Sequence, residues 1–218
     1  MCIRDSYSAS ASKRAVQHTG HSGSVFVYLT RYLLANKSYL INTVGLCAIA
    51  CFLPLLFGEF QGLNLFPIGL AILCLNTPIC TLLSCDPDLE QAIRVLPGQA
   101  GRFCRRYCLF IFIVNGIVAG IYPGSWQIIH GRIGLAYVGT GLLFALQSAI
   151  LSVILEWKHP IRGWKTESDL WHHPRKYLVP LIMLLVAAFV GTWTLALWIC
   201  AAVLLTECCV LLFVTRRG

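Results

Sequence analysis

Residues 133–155, IGLAYVGTGLLFALQSAILSVIL, carry no charged side chain and are bracketed by Arg132 on one side and by Glu156 and Lys158 on the other. A helix of that length rises about 34 Å at 1.5 Å per residue, enough to cross the ~30 Å hydrocarbon layer of a bilayer. Outward from this run, five more apolar stretches recur at about residues 39–57, 63–85, 107–123, 178–192 and 194–214. Of the 17 Lys and Arg residues, 16 fall in every second gap of the series, and only Arg132 lies in an alternate gap. Basic residues collect on the cytoplasmic side of membrane proteins. The pattern predicts an all-α, polytopic membrane protein with six spans and with both the N-terminus and the C-terminus cytoplasmic.

Composition agrees. The 218 residues are 57% hydrophobic and 12% charged, with a mean hydropathy of +0.73, whereas soluble domains carry about 25% charged residues. Six spans of about 20 residues consume roughly 120 positions and leave short loops, with no room for a soluble catalytic domain. The net charge of +8 is accounted for by basic residues at membrane edges, where they meet anionic lipid, so lipid rather than nucleic acid is the expected contact.

Residues 1–24 are set apart from the single membrane domain expected over 25–218. The opening MCIRDS reads as a translated sequencing-adapter scar, and the Ser, Ala and Gly-rich stretch to residue 24 has no apolar core of a signal peptide and is expected to be disordered. Residues 25–37, VFVYLTRYLLANK, are too short to span, and Thr30, Arg31 and Lys37 share one helical face. They predict an amphipathic helix in the inner interface. Within the second run, Pro67 and the sequence Asn76-Thr77-Pro78 predict a kinked or unwound helix, placed inside the bundle where neighbours satisfy its freed backbone groups.

The first basic gap has the strongest local signals. Asp86 is suited to cap a helix, Pro87 to occupy its first position, Asp88 and Glu90 to face its positive end and Arg94 its last turn, while Pro97-Gly98 stops it. A helix over 87–96 follows, with Leu89, Ile93 and Leu96 in one apolar stripe. The chain offers little to cover that stripe, so a docking partner is expected, lying flat on the membrane surface being the alternative. In the second basic gap, residues 156–176, Thr166 and Asp169 give a weak capping signal, and His172 and His173 are adjacent and point to different faces, as surface rather than metal-binding residues do.

Catalytic and nucleotide-binding signatures are absent. The sequence has no G-x-x-x-x-G-K-[ST], G-x-S-x-G or H-E-x-x-H, so no enzyme activity, cofactor or metal is expected in this chain. The 11 cysteines lie mostly inside apolar runs, where a thiol behaves as a small hydrophobe. Glu207 is the one acidic residue well inside a span. An ionised carboxylate at a helix centre costs about 2.5–3.5 kcal/mol even on insertion scales, so Glu207 should be protonated, paired or wet. Either it serves a polar path, or it simply hydrogen-bonds Asn76, Thr77, Asn115 or Gln147.

Six spans in about 200 residues, an inner N-terminal helix and a first cytoplasmic loop running Asp86, Leu89, Leu96-Pro97, Arg102, Arg105, Arg106 and Tyr107 together resemble the permease subunit of a type-2 ABC exporter. Residues 160–167, PIRGWKTE, are similar to a Pro, Trp, Glu pattern in the second cytoplasmic loop of some bacterial members, whereas residues 98–101, GQAG, depart from the more polar turn typical after Leu-Pro. The resemblance implies export of a substrate across a bacterial cytoplasmic membrane. It further implies a second permease copy or paralogue and a separate cytoplasmic ATPase carrying ATP and Mg. Asp86, Asp88, Leu89, Glu90, Ile93, Arg94, Leu96 and Pro97 would form the coupling helix, and Asn76, Thr77, Asn115, Gln147 and Glu207 the intramembrane path. The competing expectation is a non-transporting membrane protein, an immunity, assembly or scaffold factor. A secondary transporter would need an ion path and usually internal repeats, and the two halves show none.

Overall fold

The computed structural model describes residues 25–60, 64–74, 76–95, 99–131, 133–161, 174–192 and 195–217, which are helical throughout and contain no strand. Helix α1 is Val25–Ala35, α2 Lys37–Gly58, α3 Phe66–Leu73, α4 Thr77–Cys80, α5 Leu82–Cys85 and α6 Pro87–Val95. Helices α7 (Gln99–His130), α8 (Leu135–Lys158), α9 (Leu178–Thr192) and α10 (Ala196–Arg217) complete the order, with a 3-10 turn at Pro174–Tyr177. Four of these helices, α2, α7, α8 and α10, are long and apolar enough to cross a membrane. Of the most apolar window of α8, 56% is buried, against 17% for α10, so α8 sits at the bundle centre beside α7 while α10 lies at its edge. The initial segment 1–24 and most of the second basic gap, with Thr166, Asp169, His172 and His173, lie outside the described residues.

The helix ends gather in two groups. At one end the Phe66 ring lies 4.6 Å from Tyr137 and 4.9 Å from Tyr122, centroid to centroid, and Trp126 stacks on His130 at 4.7 Å. Gly69 lets this cluster close: a Cβ there would stand 2.3 Å from the Tyr122 hydroxyl. At the opposite end, where Arg94 and Lys158 lie, Tyr28 of α1, Asp86, α6, the last turn of α8 and the 3-10 turn meet through polar contacts. Each end has its own apolar cluster, one around Phe66, Tyr122 and Phe144, the other around Leu29, Ile93, Tyr107 and Val153.

The second apolar run is broken, as Asn76-Thr77-Pro78 foretold. Helix α3 stops at Leu73, Asn76 is unwound, and two single-turn helices follow. Loss of helical hydrogen bonds in an apolar surrounding is expensive unless neighbours substitute. Asn76 is fully buried, and its Oδ1 accepts from Asn42 Nδ2 at 3.1 Å and from Thr43 Oγ1 at 3.4 Å, tying the break to α2. Tyr107 completes the repair: its hydroxyl donates to the Ile79 carbonyl at 2.7 Å and accepts from the Leu82 amide at 3.2 Å, a free N–H at the start of α5.

The third run, 107–123, lies inside a longer helix. Helix α7 continues from Gln99 to His130, with Pro123 inside it. Pro123 lacks only one amide and is buried among neighbouring helices, which hold the helix together past it. Arg102, Arg105 and Arg106 are good helix formers, so nothing ends the helix at the membrane edge.

Candidate coupling helix and intramembrane polar groups

Helix α6 begins where the sequence places it. Asp86 Oδ1 accepts the Leu89 amide at 3.1 Å, an N-cap, and Asp86 Oδ2 accepts the Tyr28 hydroxyl of α1 at 2.9 Å. One carboxylate therefore starts the helix and ties it to α1. Burial, and after it the Asp86 carboxylate, raises the Tyr28 phenol above its ordinary value, so Tyr28 remains a donor at neutral pH. At the other end of α6, Arg94 Nε donates to Glu90 Oε1 at 2.8 Å and Arg94 Nη2 to the Trp157 carbonyl at 2.7 Å. The Arg94 guanidinium also lies 4.4 Å from the centre of the Trp157 ring, a cation–π contact over the last turn of α8.

The expectation of an uncovered apolar stripe on this helix is corrected. Ile93 is 6% exposed and belongs to the chain's own cluster with Leu29, Ala100 and Phe103, and Leu89 packs against the same cluster. Helix α1 and the extended start of α7 supply the cover that the local sequence does not reveal. The face of α6 left open carries Gln91, Ala92 and Val95, the last 72% exposed. Asp88 lies in the first turn of α6, and Leu96 and Pro97 lie outside the described residues.

Beside α6 stands a buried ion pair that the sequence reading missed. Glu156 is fully buried at the end of α8; its Oε2 accepts the Ser84 amide at 2.9 Å and its Oε1 accepts the Ser84 hydroxyl at 2.8 Å. Arg175 Nη2 donates to Glu156 Oε1 at 2.6 Å, and the Ile161 amide donates to Ser84 Oγ at 2.8 Å. A carboxylate with no access to water is held by pairing and by several donors, the condition under which a buried charge is tolerated. The four residues join the end of the broken second run, the end of α8 and the approach to α9. A charged residue ending an otherwise apolar run was the only signal available for Glu156.

The polar residues inside the bundle have separate partners. Asn76 pairs with α2, and Asn115 Nδ2 donates to Ser148 Oγ at 3.2 Å, while Gln147 Oε1 and Glu207 Oε2 are each enclosed by protein without a hydrogen-bond partner. Thr77 opens α4. Among the described residues, all cysteines are free and no group of His, Cys, Asp and Glu has the makings of a metal site.

The chain matches no protein-family model, curated protein or solved structure. The functional reading therefore stands on geometry and on the sequence pattern.

Proposed function

We propose that this chain is the membrane-spanning permease subunit of a bacterial ABC exporter. In this reading α2, the broken run from α3 to α5, α7, α8, α9 and α10 are six spans, the end carrying Arg94 and Lys158 faces the cytoplasm, and α6 is the element on which a separate ATPase acts. The observation that carries it is α6 itself: a short capped helix, clasped at its far end by Arg94 on Trp157, with Gln91, Ala92 and Val95 facing outward. A helix so held moves with its surroundings. Displacement by an ATPase would pass through Trp157 to α8 and through Asp86 and Tyr28 to α1, biasing the bundle between two arrangements. The ATP and Mg reside on the partner, and a second permease copy or paralogue completes the pathway.

The test is to look for a neighbouring gene that encodes a P-loop ATPase and to measure co-purification of its product with wild-type and Ala92→Asp/Val95→Asp protein. Both positions are exposed, so abundance should hold while ATPase recovery falls at least tenfold. Equal recovery at matched abundance removes α6 from the coupling role. ATP hydrolysis by the purified single chain contradicts the reading altogether.

A further inference from the structure

The first two turns of α7 carry three exposed arginines, Arg102, Arg105 and Arg106. No carboxylate ion-pairs with any of them among the described residues, and Arg105 Nε donates to the Gly101 carbonyl at 3.1 Å. Further along the helix stand Leu109, Ile113 and Ile117, which are 51%, 38% and 58% exposed. At 3.6 residues per turn these six positions fall within roughly 120° of arc, so they form one continuous face. The opposite face, with Phe103, Tyr107, Ile111 and Val118, is buried against the bundle. Gly116 and Gly120 share the open face, and a Cβ at either would meet nothing within 4 Å. Beside the isoleucines the surface therefore drops to bare backbone. From Arg106 to Gly120 it runs about 21 Å, more than the ~15 Å of hydrocarbon in one leaflet.

We propose that this face of α7 seats one anionic phospholipid, its phosphate held by the three arginines and one acyl chain laid over Leu109 and Ile113 into the channel at Gly116 and Gly120. Guanidinium groups meet phosphate oxygens through paired N–H donors, a fit that suits arginine better than lysine. Charge selects the occupant. Two copies of the chain in one membrane would run parallel, and packing α7 on α7 would set the three arginines against the same three. Like charges opposed across an interface repel. A zwitterionic lipid brings a cation of its own to the site, whereas an anionic one brings net negative charge together with an apolar chain for the stripe. Orientation by the positive-inside rule requires basic residues in the loop but not their alignment on one helix face above an exposed apolar stripe. By contrast α2 opens on a single base, Lys37, and α8 closes on a single one, Lys158. The inference needs α7 to cross the membrane and does not depend on the export reading.

The experiment is photo-crosslinking of the full-length chain in phosphatidylcholine nanodiscs that contain a small share of phosphatidylglycerol with a diazirine in its acyl chain. Crosslinks located by peptide mass spectrometry should concentrate on residues 109–120. Excess unlabelled phosphatidylglycerol should lower them at least about fivefold, the effect of a single arginine at an anionic surface, and the same excess of phosphatidylcholine should not. Arg102→Gln/Arg105→Gln/Arg106→Gln should lower them by at least as much. The competition is read on the wild-type chain, so it stands whether or not the triple variant folds. Labelling spread evenly over the exposed faces of α2, α7 and α10, or equal competition by the two lipids, would show ordinary lipid contact and overturn the proposal. A disulfide joining the Gly120→Cys positions of two chains would also overturn it, by placing a second copy on this face.

Discussion

Glu156 holds a buried network that the sequence did not single out, and its partners explain why. Its boundary position after residues 133–155 was legible, but Ser84 lies 72 residues away and Arg175 19 residues away. Only the fold brings them together. Removing one partner of a buried pair costs about 3–5 kcal/mol, because the remaining groups lose their compensation in a site already stripped of water. Glu156→Ala should therefore lower stability by that order, measured as denaturant or thermal unfolding in a mild detergent. Glu156→Gln should cost less, since its carbonyl oxygen still accepts from Ser84. An unchanged unfolding midpoint in Glu156→Ala would mean that the network does not hold the three elements together. Asp86 gives the opposite lesson: its cap on Leu89 is a local contact, three residues long, and was readable from the Asp-Pro sequence alone.

Among elements, the break in the second run was legible because Asn76-Thr77-Pro78 conflicts with an apolar helix in its own composition. The fate of the stripe on α6 was not, because its cover comes from α1 and α7, whose packing no local pattern records. Sequence also gave no hint of how tightly α3 meets α7. A Cβ at Gly69 would stand 2.3 Å from the Tyr122 hydroxyl and 2.5 Å from its Cζ, and Tyr122 is itself packed between Phe66 and Trp126. Gly69→Ala should cost about 1–3 kcal/mol as overpacking. Gly139→Ala, where a Cβ meets nothing within 4 Å, should be neutral or gain up to about 1 kcal/mol of helix propensity. Unfolding of the two variants side by side separates a steric effect from a general intolerance of alanine, and similar losses in both would refute the close contact.

For the whole molecule, the alternation of basic residues anticipated the two-ended gathering of helix termini, because charge placement and up-down connectivity are both readable along the chain. It did not reveal how unequal the helices are. If the basic end faces the cytoplasm, Gln127→Cys, exposed at the aromatic end, should react with an impermeant thiol reagent on intact cells, and Gln99→Cys, exposed near α6, should react only after lysis. Reversed labelling would invert the topology. The inequality has its own consequence. Helix α7, with 32 residues, is about 48 Å long, whereas α9, with 15, reaches about 22 Å against a hydrocarbon layer of ~30 Å. The short helix packs beside the broken α3, so one flank of the bundle is short. If α9 is a span, lipid chains touching its flank must compress or tilt to meet it. In the six-span reading the protein thus imposes a lopsided dimple on its bilayer, and acyl-chain length becomes a variable that acts on one side of the molecule more than on the other.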